Sequence, residues 1–412
     1  MAHYTNHLML LFLATISFFS STFSKDASSI NVLSFGAKPN GKFDSTTSFL
    51  KAWSNACKSK ESATFYVPKG NFLIKQVTFE GPCSNNIKFR IDGTIVAPSD
   101  YRSHGNSGMW IMFRNLNGFS VQGGTFDGKG DSYWRCRKSG SSCPAGARSI
   151  TFSSCNDVKV SGLTSLNSQA MHIAVDHCKN ILFKNVKIDA PSTSPNTDGF
   201  NVILSTGVTV SQAIISTGDD CIALSQGNTN VWIEHITCGP GHGISIGSLG
   251  AYKNEAGVHN VTVTDSIFEG TQNGVRIKSW AQPSNGYASN IVFRNLTMKN
   301  ANNPIIIDQN YCPGDKSCPH QSSGVKISKV SYEHIRGTSA CPQAINLDCS
   351  KSNPCEGIKL QDIDLVYGEG STTSTCNNVG GINSGVVIPK SCWWDKRKMK
   401  VTETEDEERR KG

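Results

Sequence analysis

Apolar residues at alternate positions recur as a short motif along most of this chain. Alternation of this kind predicts a β-strand with one buried face. The residue before each of the nine copies is Gly, Asn or Asp, which tolerate the left-handed backbone of a tight turn. A tenth copy is predicted to begin at Ile87. The nine copies are Phe119–Val121, Val158–Val160, Ile181–Phe183, Val208–Val210, Val231–Ile233, Val261–Val263, Ile291–Phe293, Val325–Ile327 and Ile358–Leu360.

The spacing of the motif indicates a solenoid. Successive copies begin 23 to 39 residues apart, which is hard to fit to a two-sheet sandwich, whereas stacked coils give every strand the same core. We therefore predict an all-β fold, a single-domain right-handed parallel β-helix of about ten coils. An ordinary all-β protein with chance periodicity is the alternative.

Two pairs of residues support the stacking. Cys155 and Cys178 each lie three residues before their motif, so they are expected to lie one above the other. Asp198 and Asp220 lie ten and eleven residues before theirs. Because adjacent strands are about 4.8 Å apart, these two carboxyl groups are predicted to be close neighbours.

Both ends of the chain carry segments that we expect to lie outside the solenoid. Residues 1–24 are predicted to be a secretory signal peptide, because their apolar stretch, Leu8–Phe19, is too short to span a bilayer. Residues 25–392 are predicted to form the β-helix. Residues 393–412 contain many charges of both signs and are predicted to be a disordered tail.

A short helix is predicted near the start of the β-helix. The segment Asp44-Ser-Thr-Thr supplies capping residues, and Phe49, Leu50 and Trp53 follow at helical spacing. Since the open end of a solenoid exposes strand edges and apolar core, we expect this helix to cover the first coil.

The fifteen cysteines indicate an oxidising compartment, and their odd number leaves at least one unpaired within the chain. Cys155 and Cys178 are candidates for buried thiols. No Cys-x-x-Cys pair accompanies a second pair or a His tandem, so no metal site is expected. The candidate disulfides join close pairs, namely Cys221 with Cys238, Cys349 with Cys355, and Cys376 with Cys392.

Charge and sequons add to the picture of a secreted protein. Asn260-Val-Thr and Asn295-Leu-Thr are glycosylation sequons. The formal net charge of +8 favours acidic partners, either nucleic acid or an acidic polysaccharide. Secretion and the lack of a nucleic-acid-binding motif favour the polysaccharide. We expect a monomer that is not attached to a membrane once the signal is removed.

Three carboxyl groups are candidates for acid and base chemistry. Cleavage of a glycosidic bond by water needs a proton donor and a base, and Asp198, Asp219 and Asp220 supply three carboxyls. Crowding of like charges raises the pKa of at least one of them, so a protonated acid and an ionised base can coexist. An isolated Asp-Asp pair is more often a turn or a calcium ligand, and the pair gains weight from Asp198 one coil earlier. On a regular strand Asp219 and Asp220 would face opposite ways, so a bend is expected there.

Basic residues follow on the next two coils. His242 lies between two glycines, and a hydrogen bond to the acid is its simplest role. Arg276 and Lys278 alternate with Val275 and Ile277, which places the cations on the outer face. Two adjacent cations there can clamp a substrate carboxylate, and a solvated strand face is the alternative.

Together these residues resemble the motifs of plant polygalacturonases of glycoside hydrolase family 28. The resemblance extends from about Asn31 to Cys392, and Asn310-Tyr-Cys312 adds to it. Asn201, where many members carry histidine, and the stretch after Lys278 depart from the common pattern. The matching segments are Ser194-Pro-Asn-Thr-Asp-Gly199, Gly218-Asp-Asp-Cys221, Cys238-Gly-Pro-Gly-His-Gly-Ile-Ser-Ile-Gly-Ser248 and Val275-Arg-Ile-Lys278.

The resemblance implies hydrolysis of α-1,4-linked galacturonic acid in pectin, with inversion at the anomeric carbon. By position in the motifs, Asp219 is implied as the general acid. Asp198 and Asp220 are implied to hold and activate water, and His242 to assist the acid. The implied setting is the plant cell wall.

The resemblance also implies four substrate-binding residues. Arg276 and Lys278 bind the galacturonate carboxylate, while Asn196 and Tyr311 line sugar subsites. No metal or organic cofactor is implied. The alternatives are a rhamnogalacturonan hydrolase, a pectate or pectin lyase and an inactive pectin-binding β-helix.

Overall fold

The computed structural model describes residues 28–313 and 317–393. The predicted signal peptide and residues 394–412 of the predicted tail lie outside this part of the chain. Two α-helices are present in it, α1 (Thr46–Lys58) and α2 (Asp131–Lys138). Neither is long and apolar enough to cross a bilayer.

Strands make up most of the described chain. Numbered in chain order, they are β1 Ser28–Asn31, β2 Asn40–Asp44, β3 Ala63–Val67, β4 Asn71–Leu73, β5 Val77–Glu80, β6 Ile87–Ile91, β7 Thr94–Val96, β8 Met109–Arg114, β9 Ser120–Gln122, β10 Thr125–Asp127, β11 Arg148–Ser153, β12 Asn156–Ser161, β13 Thr164–Leu166, β14 Ile173–Asp176, β15 Lys179–Lys184, β16 Lys187–Asp189, β17 Phe200–Ile203, β18 Thr206–Ser211, β19 Ile214–Ser216, β20 Ile222–Leu224, β21 Thr229–Glu234, β22 Thr237–Cys238, β23 Ile244–Leu249, β24 Val258–Glu269, β25 Asn273–Trp280, β26 Tyr287–Ala301, β27 Asn303–Tyr311, β28 Lys326–Ser339, β29 Gln343–Asp348, β30 Cys355–Val366, β31 Thr373–Asn377 and β32 Val379–Ile388.

These strands stack in parallel ladders along three faces of a solenoid. The first ladder runs from β1 through β3, β6 and every later coil to β32, and the second runs from β2 through β4 and β7 to β22. From β24 onward, one long strand serves both ladders in each coil. The third ladder contains the eleven strands from β5 to β31. The prediction of a right-handed parallel β-helix is confirmed.

The repeat motif forms the first ladder in the predicted register. Val158 pairs with Ile181, Ile181 with Val208, and Val208 with Val231. The tenth copy is also confirmed, since β6 pairs with β9 in the same phase. Eight of the nine predicted turn residues have the left-handed backbone, with Asp157 at φ 53° as an example.

The predicted motif copy at Val325–Ile327 is wrong by five residues, because the residues in register with the neighbouring copies begin at Val330. Val330 to Tyr332 pair with Ile291 to Phe293 below and with Ile358 to Leu360 above. The left-handed turn just before Val330 is made by Lys329 (φ 55°), which lies inside β28 and carries no turn signal in the sequence. Gly324 has a different role, because a Cβ there would lie 2.2 Å from the backbone nitrogen of Ser284.

The predicted capping helix is confirmed. Helix α1 buries Phe49 and Trp53, whose rings lie 5.7 and 6.1 Å from that of Phe65 in the first coils. Asp44 accepts a hydrogen bond from the backbone N–H of Thr46 at the start of the helix (3.0 Å). Helix α2, which no sequence pattern predicted, is tied down by a disulfide between Cys136 and Cys143.

The cysteines confirm the predicted bridges. Cys221–Cys238, Cys349–Cys355 and Cys376–Cys392 are disulfides, and three further bridges join Cys57–Cys83, Cys136–Cys143 and Cys312–Cys318. Cys155, Cys178 and Cys341 are free thiols. The predicted stacking of the first two is also confirmed, since the backbone N–H of Cys155 lies 3.3 Å from Sγ of Cys178.

Candidate active site

The acidic motifs meet at the start of three neighbouring strands of the third ladder. The segments that end in Asp198 and Asp220 precede β17 and β20, and His242 precedes β23. The backbone N–H of His242 donates to the carbonyl of Asp219 (2.8 Å), which joins these coils. Gly218 is required because a Cβ there would lie 2.0 Å from the carbonyl oxygen of Ser194. The chain bends at Asp219, as expected from the sequence.

Asp220 is buried and bound by two cations. Its Oδ1 accepts hydrogen bonds from Arg276 and from the hydroxyl of Ser245, both at 2.8 Å, and its Oδ2 accepts one from Lys278 at 2.7 Å. The side chains of Arg276 and Lys278 are 9% and 7% exposed, so they do not form a solvated strand face. Their apolar neighbours point into the core as predicted. The charge of Lys278 also acts on the neighbouring carboxyls of Asp219 and Asp198.

Asp219 forms a pair with His242 at the exposed side of the cluster. Its Oδ1 lies 3.0 Å from Nδ1 of His242 and accepts a hydrogen bond from the backbone N–H of Asp220 (2.8 Å). Burial alone would raise the pKa of Asp219, but the hydrogen bond and charge of His242, together with the charge of Lys278, outweigh it and lower that pKa. The side chains of Asp219 and His242 are 22% and 36% exposed.

Asp198 has the opposite electrostatic environment. Burial first, and then the negative charges of Asp219 and Asp220, raise the pKa of Asp198 well above its ordinary value. Lys278 and a hydrogen bond from the side-chain amide of Asn201 (3.2 Å) oppose that shift only in part. Of the carboxyls with a shifted pKa in this cluster, Asp198 is therefore the one whose surroundings favour the protonated form.

An aromatic pair adjoins the cations. The ring of Tyr311 lies 5.0 Å from Nζ of Lys278 and 5.8 Å from the guanidinium of Arg276. Trp280 meets Tyr311 edge to face, with 5.6 Å between ring centroids. Asn196, by contrast, is exposed, and its side chain makes no hydrogen bond to the cluster among the described residues.

Sequence reasoning assigned no role to Ser245. This buried hydroxyl donates to Asp220 and accepts from Nε of Arg276 (3.0 Å), so it links the anion to the cation. Strand alternation could have revealed it, because Ser245 pairs with Arg276 on the adjacent coil. Asn201 was recognised only as a departure from the usual pattern, and it proves to contact Asp198.

The residues do not favour a divalent metal. Ligand atoms of Asp219, Asp220 and His242 lie within 4.8 Å of one another, which is close enough to hold an ion. However, both oxygens of Asp220 already accept hydrogen bonds from cations, which would repel a metal.

Replacement of Asp198 by Asn is expected to stabilise the protein at neutral pH. The pKa of Asp198 is higher in the folded protein than in the unfolded chain. Its contribution to the free energy of unfolding is therefore fully present below the pKa of the unfolded chain, and it is lost as the pH rises through the pKa of the folded protein. Asn cannot ionise and has no such loss. Melting temperatures measured across pH should therefore be higher for Asp198→Asn near pH 7 and should converge with wild type near about pH 3.

The control for this measurement is Asp157→Asn, which changes an exposed carboxylate at a turn that also tolerates Asn. It should follow wild type at every pH. A wild type that is more stable than Asp198→Asn at neutral pH would contradict the buried, protonated state.

Similarities to known proteins agree with this geometry. Residues 57–392 match the sequence profile of Glycosyl hydrolases family 28. A polygalacturonase of Prunus persica is 52% identical over 364 residues, which are 88% of this chain and 93% of the relative. An exopolygalacturonase of Platanus acerifolia is 42% identical over 366 residues, which are 87% of this chain and 96% of that protein.

Solved structures share the fold. The crystal structure of an endo-xylogalacturonan hydrolase from Aspergillus tubingensis matches with a TM-score of 0.77 at 24% identity. The match covers 88% of this chain and 100% of that chain. With the profile match and the close plant relatives, the conclusion is that this chain belongs to the glycosyl hydrolases of family 28.

Proposed function

We propose that this glycoside hydrolase cleaves α-1,4-galacturonosyl linkages of homogalacturonan, the acidic polymer of pectin. The observation that carries the proposal is the pair of cations, Arg276 and Lys278, held side by side on Asp220 next to the carboxyls of Asp219 and Asp198. Two adjacent cations suit a sugar that carries a carboxylate, since Arg and Lys both form charge-assisted hydrogen bonds with such groups. Plant relatives that cover most of the chain include a polygalacturonase and an exopolygalacturonase, which supports the same substrate.

Asp219 is the proposed general acid, because it is the partly exposed carboxyl beside His242. The lowered pKa of Asp219 depends in part on the charge of Lys278. A substrate carboxylate bound to Lys278 neutralises that charge, so binding raises the pKa of Asp219. The retained proton then moves within the cluster toward Asp219, as expected for strongly coupled groups.

Asp198 and Asp220 are the proposed water-activating pair. Once Asp198 has lost its proton it can accept one from the attacking water, while Asp219 donates one to the leaving oxygen. The reaction is proposed to be a single displacement with inversion. Tyr311 and Asn196 are proposed to line the neighbouring sugar subsites.

The protein is proposed to act outside the cell, in the plant cell wall, as a monomer. Six disulfides suit an extracellular protein. Residues 1–24 are the proposed signal peptide, 25–392 the catalytic β-helix and 393–412 a charged tail. Endo attack is favoured slightly over exo attack.

Digestion of polygalacturonic acid tests the function. Reducing ends should appear from this polymer and not from the same polymer after its carboxylates are reduced to alcohols, because the cation pair then has no substrate carboxylate to bind. Equal rates on both polymers would contradict the proposal. A fast fall in viscosity with few new ends would indicate endo attack, and slow viscosity loss with free galacturonic acid would indicate exo attack.

A further inference from the structure

A polar trough of about 640 Å³ lies on the solenoid away from the carboxylate cluster. It follows the corner where the strands of the last coils turn from the first ladder to the second, whereas the cluster lies on the third ladder. From β24 to β32 the trough crosses four strand spacings, about 19 Å. We call it the corner trough, and its lining is Asp265, Asn295, Thr297, His334, Arg336, Asp362, Ile363, Asp364, Val386 and Ile388.

Two rows of residues in register form the lining. Asp265, Asn295, His334 and Asp362 occupy the left-handed corners of successive strands, with φ between 50° and 53°. In the second row, Thr297 pairs with Arg336, Arg336 with Asp364, and Asp364 with Ile388. Side chains at these stacked positions point outward together, and they make a continuous surface.

One of the two glycosylation sequons lies inside this trough. The acceptor Asn295 and the hydroxyl residue Thr297 are both lining residues, and Asn295 is exposed. The side-chain nitrogen of Asn295 donates one hydrogen bond to Oδ1 of Asp265 (3.2 Å). An amide nitrogen carries two hydrogens, so one remains available for a glycosidic linkage while the other fixes its direction.

The rest of the corner trough contains polar groups that can bind sugar hydroxyls and apolar residues that a sugar can cover. Within residues 28–313 and 317–393, neither Arg336 nor Asp364 forms an ion pair or a side-chain hydrogen bond, so their donors and acceptors are free for sugar hydroxyls. At the far end, Val386 and Ile388 are 63% and 44% exposed. They lie on β32, the last strand of the first ladder, where an exposed apolar edge favours aggregation.

The second sequon lies elsewhere. Asn260 stands between Asn230 and Asn290 in the turn row before the first ladder, and its side-chain nitrogen lies 2.6 Å from Oδ1 of Asn230. It is not among the residues that line the corner trough. The two sequons therefore differ in what their glycan would contact.

We propose that Asn295 carries an N-linked glycan whose first sugars lie in the corner trough and cover Val386 and Ile388. The inference rests on the proposed secretory route and is independent of the reaction. The glycan shields the exposed apolar residues of β32, on a face away from the carboxylate cluster.

Peptide mapping tests the modification. The full chain is produced in plant cells, and both medium and cell fractions are treated with peptide N-glycosidase A in heavy-oxygen water. Asn295 is expected to be converted to labelled Asp in wild type and in Thr297→Ser, which keeps the sequon, and to remain Asn in Thr297→Val. Unmodified Asn295 in both wild-type fractions would overturn the proposal, and unchanged activity on polygalacturonate would show that the proposed function stands apart from it.

The position of the glycan in the corner trough is tested by the rate at which peptide N-glycosidase A releases it from the folded protein. Arg336→Ala should free the glycan about tenfold faster, because a hydrogen bond to a charged group is worth at least that factor. Arg90→Ala is the matched control, since Arg90 is an exposed arginine on a distant coil of the first ladder. Equal release rates from wild type and Arg336→Ala would show that the glycan projects into solvent and overturn the seated arrangement.

Discussion

Asp219→Asn is expected to lower kcat on polygalacturonate by about 10²- to 10⁴-fold, the usual contribution of a general acid. Asn keeps the shape of the side chain and can still accept the hydrogen bond from the backbone N–H of Asp220. It cannot give up a proton. KM and the melting temperature should therefore stay close to wild type, and initial rates of reducing-end formation measure the effect.

Asp157→Asn serves as the control, because it makes the same chemical change at an exposed turn. If Asp219→Asn is fully active and the separate variant Asp198→Asn is inactive, Asp198 would be the general acid. That outcome would mean that the catalytic proton stays on the buried Asp198.

Asp220→Ala is expected to lower the free energy of unfolding by about 3–5 kcal/mol, as is usual when one partner of a buried ion pair is removed. The substitution leaves Arg276 and Lys278 buried without their common anion. It also removes the acceptor for the hydroxyl of Ser245. Urea unfolding monitored by tryptophan fluorescence measures the loss.

The comparison for this variant is Asp92→Ala, which breaks an ion pair with Arg90 at the surface. Exposed pairs contribute less than about 1 kcal/mol, so the two losses should differ clearly. Equal losses would show that Asp220 acts as an ordinary surface carboxylate. Activity should vanish in Asp220→Ala alone, because the cation clamp loses its geometry.

Much of the fold follows from local patterns. Alternating apolar residues entered by Asn, Asp or Gly predicted the stacked strands, because a left-handed turn has a recognisable residue preference. The same preference explains the wrong prediction near Val325. Lys329 makes the left-handed turn although it is not Asn, Asp or Gly, and Gly324 has a residue type typical of such a turn but does not form one. Helix α2 has no apolar face long enough to predict, and a disulfide holds it.

The amino-acid sequence by itself predicted the solenoid, the capping helix, three candidate disulfides and most of the residues that meet at the site. Those features depend on repeat phase and spacing, which are written along the chain. Only the tertiary structure decided the states of the groups. Asp198 is buried and Asp219 is partly exposed beside His242, so their pKa values move in opposite directions. Arg276 and Lys278 are bound to Asp220 through contacts between residues more than fifty positions apart. Burial and charge proximity are properties of packed coils, and no local pattern contains them.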